Sequence, residues 1–157
     1  MTMNAQELLI YLTEKQIGRL FDIARKFPSD KLDWKATPCN RTALDMLQEI
    51  ATALQVFMPG ILSRKVEFSP EVFGKWAEDR SKITNLDELE RLAKEGMAEL
   101  KQAIISTPEG EWSIKVDMPF PGEFNVADLL SYQYWNASYH EGQIMFLEMM
   151  ASSQAGF

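Results

Sequence analysis

His140 is the only histidine in the sequence, and it sits in a run of hydrogen-bonding side chains. Gln133, Asn136, His140 and Gln143 follow one another at steps of three, four and three residues. On an α-helix those steps put all four on one stripe, beside the aromatic residues Tyr132, Trp135, Tyr139 and Phe146. A polar stripe in such company needs partners, and two readings supply them. One is a ligand-binding or vestigial metal pocket with imidazole as a donor. The other is a hydrogen-bonded network or a partly exposed face.

Other reactive groups are less well placed. Cys39, between Pro38 and Asn40 just ahead of a helix start, lies where a helix dipole can favour a thiolate. A cysteine nucleophile needs a base, however, and His140 is the only candidate, so an inert thiol is the simpler reading. Glu141 and Glu148 are spaced as solvated helix charges, and Ser138 has no nucleophile-elbow context. Gly60, Gly74, Gly96 and Gly110 stand alone, so no glycine-rich phosphate loop exists.

The elements that must carry these residues are helices. From Gln6 to Phe27, apolar Leu9, Leu20, Ala24 and Phe27 fall on one side of a 3.6-residue wheel, with Glu14, Arg19, Asp22 and Lys26 opposite. Thr42 and Asp45 have the spacing of a capping pair, after which Leu44, Leu47, Ile50, Ala51, Leu54 and Met58 recur at helical intervals until Pro59-Gly60. On that wheel Glu49 falls outside the apolar arc, so periodicity alone makes it a solvated surface carboxylate. Asn85 with Glu88, and Asn125 with Asp128, open two more helices. The expectation is an all-α four-helix bundle with helices near 5–27, 42–58, 85–105 and 125–151. Residues 59–84 form a connector long enough to return the chain in the same direction, with a short helical turn near Glu71 to Trp76. Glu111 to Val116 reads as an extended excursion or poor hairpin.

Composition narrows the function classes. The chain has 157 residues, 46% of them apolar, enough for one domain spanning residues 1–157 that folds without disulfides. A single cysteine fits a reducing, cytoplasmic setting. The formal charge of −7 argues against nucleic acid as a partner. No apolar run is long enough for a signal segment or a membrane span. Trp112, Phe120 and Phe124 cluster in the late excursion with no helical core to join, which favours a homodimer, although packing over the bundle end would satisfy them as well.

The segments Leu32-Asp33-Trp34-Lys35, Arg41 to Ala51 and Trp135 to Ile144 resemble the DinB/YfiT-like proteins. That family's final helix commonly carries a pair of histidines four residues apart followed by Gly-Gln. Its second helix adds a third histidine, and together the three hold a divalent metal at one end of the bundle. The resemblance implies up-down-down-up connectivity with a long crossover between helices two and three, pairing through helix faces, and metal-dependent thiol-transferase or hydrolase-like chemistry. Carried over residue by residue, the metal set becomes His140, Glu49 and Asn136, and the expected ion is nickel, zinc or manganese. Only one of the three family histidines is retained. The alternative is therefore a non-enzymatic helical bundle that binds a small molecule in a vestigial metal pocket.

Overall fold

The computed structural model describes residues 2–28, 30–38, 41–66 and 69–153; Cys39 lies outside the described residues. Helix α1 (Ala5–Ala24) opens with a capping box, in which the Asn4 side chain accepts from the Glu7 amide at 2.8 Å and the Glu7 carboxylate accepts from the Asn4 amide at 3.0 Å. It ends three residues earlier than the periodicity predicts, because the amides of Lys26 and Phe27 take tighter bonds to the carbonyls three residues back as the chain approaches Pro28.

Helix α2 (Ala43–Ser63) starts at Thr42, whose hydroxyl accepts from the Asp45 amide at 3.0 Å. It does not stop at Pro59, as its sequence suggested, but runs on to Ser63. Pro59 and Gln55 both face solvent, so the Gln55 carbonyl that loses its helical donor can be hydrated. Meanwhile Phe57, Met58 and Ile61 are buried and keep the last turns packed. The stop comes at Arg64, in the left-handed region with φ 58°. There the chain folds back so closely that a Cβ on Gly60 would lie 2.8 Å from Val66 Cγ2.

The crossover contains α3 (Pro70–Ser81), a full 12-residue helix where a short turn was expected. Ser69 caps it and Pro70 occupies its first turn. None of its residues is fully buried; Phe73, Trp76 and Arg80 form its inner face. Helix α4 (Leu86–Ser106) is capped by Asn85, as its spacing predicts. A single 3₁₀ turn (Glu109–Glu111) leads to a two-residue antiparallel ladder of β1 (Lys115–Val116) and β2 (Phe124–Asn125). The last helix, α5 (Val126–Ser153), begins with a reciprocal Asn125/Asp128 cap.

Long-range contacts fix the directions of the four long helices. Gln6 at the start of α1 bonds the Ile104 carbonyl at the end of α4 at 2.8 Å, and Arg25 pairs with Asp87 at 2.9 Å, so α1 and α4 are antiparallel. Arg19 meets Glu141 and Lys31 meets the Ala151 carbonyl, so α1 and α5 are parallel. Glu49 meets His140 and the Phe57 ring packs at a tilt against Tyr132, so α2 and α5 are antiparallel. Gln48 bonds the Ile83 carbonyl and Leu54 packs on Gly96, so α2 and α4 are parallel. The order around the core is α1, α5, α2, α4, the expected up-down-down-up connectivity with α3 in the crossover. Among the described residues no helix is long and apolar enough to cross a membrane.

The parallel α2–α4 pair depends on Gly96. A Cβ there would stand 3.0 Å from Leu54 Cβ and 3.3 Å from Leu54 Cδ1, and Leu54 is itself buried. Gly96→Val should therefore lower the unfolding free energy by about 1 to 3 kcal/mol through overpacking, read as a lower urea midpoint at unchanged slope. A gain in stability would show that α4 has room the packing denies.

Candidate functional site

Helix α2 brings Asp45 and Glu49 to one side at a four-residue spacing, and Arg41 precedes them by the same interval. Arg41 donates from Nε to Asp45 Oδ2 at 2.5 Å and from Nη1 to Glu49 Oε2 at 2.7 Å. From α3, Arg80 reaches the same two carboxylates, 2.9 Å from Asp45 Oδ1 and 3.5 Å from Glu49 Oε2. The Trp76 ring holds the Arg80 guanidinium at 4.8 Å, and the Trp76 indole N–H is anchored on Thr52 Oγ1 at 2.7 Å. Two guanidiniums thus face two carboxylates, shared among α2, α3 and Arg41 just ahead of the α2 cap.

Helix α5 closes the other side. Asn136 Nδ2 donates to Glu49 Oε1 at 3.1 Å, and His140 Nε2 lies 3.3 Å from the same oxygen. His140 Nδ1 is 2.7 Å from Gln143 Oε1, so each ring nitrogen faces a side-chain oxygen, one on α5 and one on α2. Gln133 donates to the Ile50 carbonyl at 2.9 Å, while its Oε1 is the buried side-chain atom without a partner among the described residues.

The polar stripe of α5 is therefore a network that closes on α2, and the three expected metal-site residues, His140, Glu49 and Asn136, are brought together. Glu49 is not the solvated carboxylate that the helical wheel predicts, for its side chain is only 16% exposed. Sequence reasoning missed Arg41 and Arg80. The Arg41/Asp45/Glu49 spacing was readable as a ladder of i,i+4 pairs, whereas Arg80 arrives from a helix 31 positions away and leaves no local trace.

Burial pushes the Glu49 carboxyl up, but the hydrogen bond from His140, the charge of Arg41 and the bond from Asn136 outweigh it and bring the pKa to about 2. The same donors bear on metal binding. Glu49 Oε1 and His140 Nε2 are spaced as two ligands of one ion with bonds of about 2 Å would be. Yet Asn136 turns its amide N–H, not its oxygen, to that point, and two guanidiniums already neutralise the other carboxylate oxygen. Among the described residues no three or more His, Cys, Asp and Glu side chains gather at ligand spacing. The donor set does not fit a resident metal ion: the positive charge beside Glu49 comes from the protein.

Next to this cluster a cavity of about 490 Å³ opens between the C-terminal half of α2, the start of α5 and residues 118–124. Phe57, Ile61, Met118, Phe120, Leu129 and Tyr132 line it, with Trp135 at its edge. Tyr132 belongs to both sites. Its ring lies 4.7 Å from that of Phe57, and its hydroxyl, pushed up to about 12 by burial and by Glu49 against the opposing Arg41, stays a neutral phenol. Phe120 and Phe124, expected as unattached aromatics, form part of this cavity, and the Trp112 indole N–H bonds the Thr107 carbonyl at 3.3 Å.

Because Glu49 is ionised in the fold down to about pH 2 but protonates near pH 4.3 in an unfolded chain, its contribution is complete above roughly pH 4.5 and fades as pH falls through about 2. Between pH 6 and pH 2 the wild type should lose about 2 to 3 kcal/mol more stability than Glu49→Gln, measured by urea unfolding at each pH. Parallel pH profiles for the two proteins would contradict this electrostatic account.

No protein-family model and no curated protein matches the chain. Among solved structures the chain is similar to a DinB-like protein from Bacillus subtilis, at 14% identity and a TM-score of 0.63, over 92% of this chain and 92% of that one. It is also similar to mycothiol-dependent maleylpyruvate isomerase, at 16% identity and a TM-score of 0.65, over 96% of this chain and 70% of that one. A histidine-to-alanine mutant of that isomerase gives the same TM-score at 17% identity. At such identities the likeness is one of fold, and it agrees with the connectivity traced above: this chain has the DinB-like helical-bundle fold.

Proposed function

We propose that this chain is a cytoplasmic small-molecule-binding bundle that works without a resident metal ion, taking an uncharged, largely aromatic ligand into the cavity beside the Arg41–Glu49–His140 network. The observation that carries this reading is the meeting of the two sites at Tyr132, where an apolar cavity of about 490 Å³ ends on a neutral phenol next to a charge-balanced cluster. A cavity of that volume falls within the range of ordinary ligand pockets. Its lining supplies mostly apolar contact, with Ser131 and the Asp128 carboxylate on the α5 wall, and the Tyr132 hydroxyl supplies a donor and acceptor for a polar end group. Paired with two carboxylates, the guanidiniums offer no net charge to an anion, and Asp128 on the cavity wall repels one, which favours an uncharged ligand.

A thiol-dependent reaction is the second reading, favoured by the likeness to an isomerase described as mycothiol-dependent. In such chemistry a bound divalent metal would stabilise the thiolate, and His140, Glu49 and Asn136 would be the residues that hold it.

Metal analysis of the purified protein separates the two. Equilibration with nickel, zinc or manganese followed by desalting should leave well below one ion per chain. The uncharged fluorophore N-phenyl-1-naphthylamine should bind with enhanced emission, and Ser131→Trp, which fills the cavity from its α5 wall, should weaken that binding at least ~10-fold with helicity unchanged. Stoichiometric metal together with mycothiol-dependent turnover of maleylpyruvate would give the second reading instead.

A further inference from the structure

On the side of α2 and of residues 118–124 the cavity wall is apolar, built by Phe57, Ile61, Met118, Phe120 and Phe124. The polar groups of the lining all come from the first turns of α5: Asp128, Ser131 and Tyr132. Positions 131 and 132 stand three and four residues beyond 128, so the three share one helix face. A ligand lying along that face meets all of them, and what they can offer it is unequal.

The Ser131 hydroxyl has one proton and donates it to the Ala127 carbonyl at 2.7 Å. Toward the cavity its oxygen can then only accept. The Asp128 carboxylate is acceptor-only, with room for about four bonds. The chain itself supplies one of them, from the Asn125 amide to Oδ2 at 2.8 Å, as part of the reciprocal cap that starts α5. Basic side chains at this end of the bundle pair with other carboxylates, Arg64 with Glu111 and Lys115 with Glu123. Asp128 is exposed, so it lies where the cavity meets solvent and is hydrated in the free protein. Of the three groups, only the Tyr132 phenol has a proton it can give.

A ligand entering the cavity displaces water from this wall. Where its polar end carries an O–H or N–H, that group takes the place of water on Asp128. Where it carries acceptors alone, the carboxylate loses hydration without a replacement and faces a lone pair at close range. Resting on the proposal that the cavity holds an uncharged aromatic molecule, we infer that Asp128 is its specificity-determining residue. The polar end of the ligand donates a hydrogen bond to this carboxylate, as an aryl alcohol, a neutral arylamine or an indole does, and the corresponding ethers and ketones are rejected. The aromatic body lies deeper, against Phe57, Ile61 and Met118. Such a donor requirement discriminates more sharply than apolar contact, in which one methyl group more or less changes affinity only modestly.

Competition against N-phenyl-1-naphthylamine with 1-naphthol and 1-methoxynaphthalene tests the inference. The two competitors share a ring system and an acceptor oxygen, and the ether has the larger apolar surface, so burial alone favours the ether. Wild type should instead prefer 1-naphthol at least ~10-fold. In Asp128→Asn the side-chain oxygen can keep the Asn125 bond while the new amide N–H groups bring donors to the wall. The preference should there fall below ~3-fold, with helicity by circular dichroism unchanged. If N-phenyl-1-naphthylamine itself does not bind the wild type, the cavity reading and this inference fall together. If it binds and the two competitors displace it equally well, only the donor requirement falls. A preference for 1-naphthol that survives Asp128→Asn overturns the assignment to Asp128. Tighter binding of protonated 1-naphthylmethylamine than of 1-naphthol overturns the inference as well, because the ligand would then be a cation.

Discussion

Glu49 is a carboxylate drawn into the side of a helical bundle, and the arrangement around it follows from what that costs. Removing an ionised carboxylate from water is unfavourable by several kcal/mol unless charge and hydrogen bonds replace the lost hydration. Here Arg41 and Arg80 bring the charge, and Asn136 and His140 bring the hydrogen bonds. The carboxylate thereby ties together α2, the inner face of α3 and the middle of α5. The α3 helix buries none of its residues fully, and its hold on the bundle comes through Trp76 and Arg80, the two side chains that complete the Glu49 environment.

The same interaction sets the chemistry. A metal ion and a guanidinium are alternative answers to one electrostatic demand, positive charge beside a buried carboxylate, and they make different sites. An ion with open coordination positions can polarise a substrate or hold a thiolate. A pair of arginines locked on two carboxylates by several bonds has no open position and no net charge to offer. Beside the cluster lies the cavity, with the neutral phenol of Tyr132 in its wall.

Much of this was legible in the sequence where the information is local. The helix starts at Asn85, Thr42 and Asn125 follow from capping geometry, in which a side chain answers an amide three residues away. The parallel second and third long helices follow from the length of the connector. What the sequence hid is non-local. The Pro59-Gly60 pair reads as a helix stop, and only the burial of Phe57, Met58 and Ile61, with Val66 folded against Gly60, carries α2 further. Glu49 lies off the apolar arc of its own helix, so a wheel assigns it to water; α3, α5 and Arg41 cover that flank, and a wheel knows nothing of neighbours. Asn136 and Glu49 were paired through the resemblance, and the fold brings them within hydrogen-bond distance. Arg80 could not be placed at all until the crossover was seen to carry a helix.

The composition of α5 is the last consequence of this geometry. A helix at the edge of a four-helix bundle needs one apolar stripe for the core and can leave the rest polar. Helix α5 has a core stripe through Leu130, Ala137, Ile144 and Ala151, and its polar residues Gln133, Asn136 and His140 are turned toward α2. Its hydrogen-bonding groups thus point inward to satisfy Glu49 and Ile50, while tryptophan, tyrosine, phenylalanine and methionine point out. This inversion does not follow from the core or from the network, both of which would be served as well by lysine or glutamate on the outer face. Two faces of the helix are accounted for by the chain's own neighbours, and the third has the chemistry of a buried surface without a neighbour in the same chain.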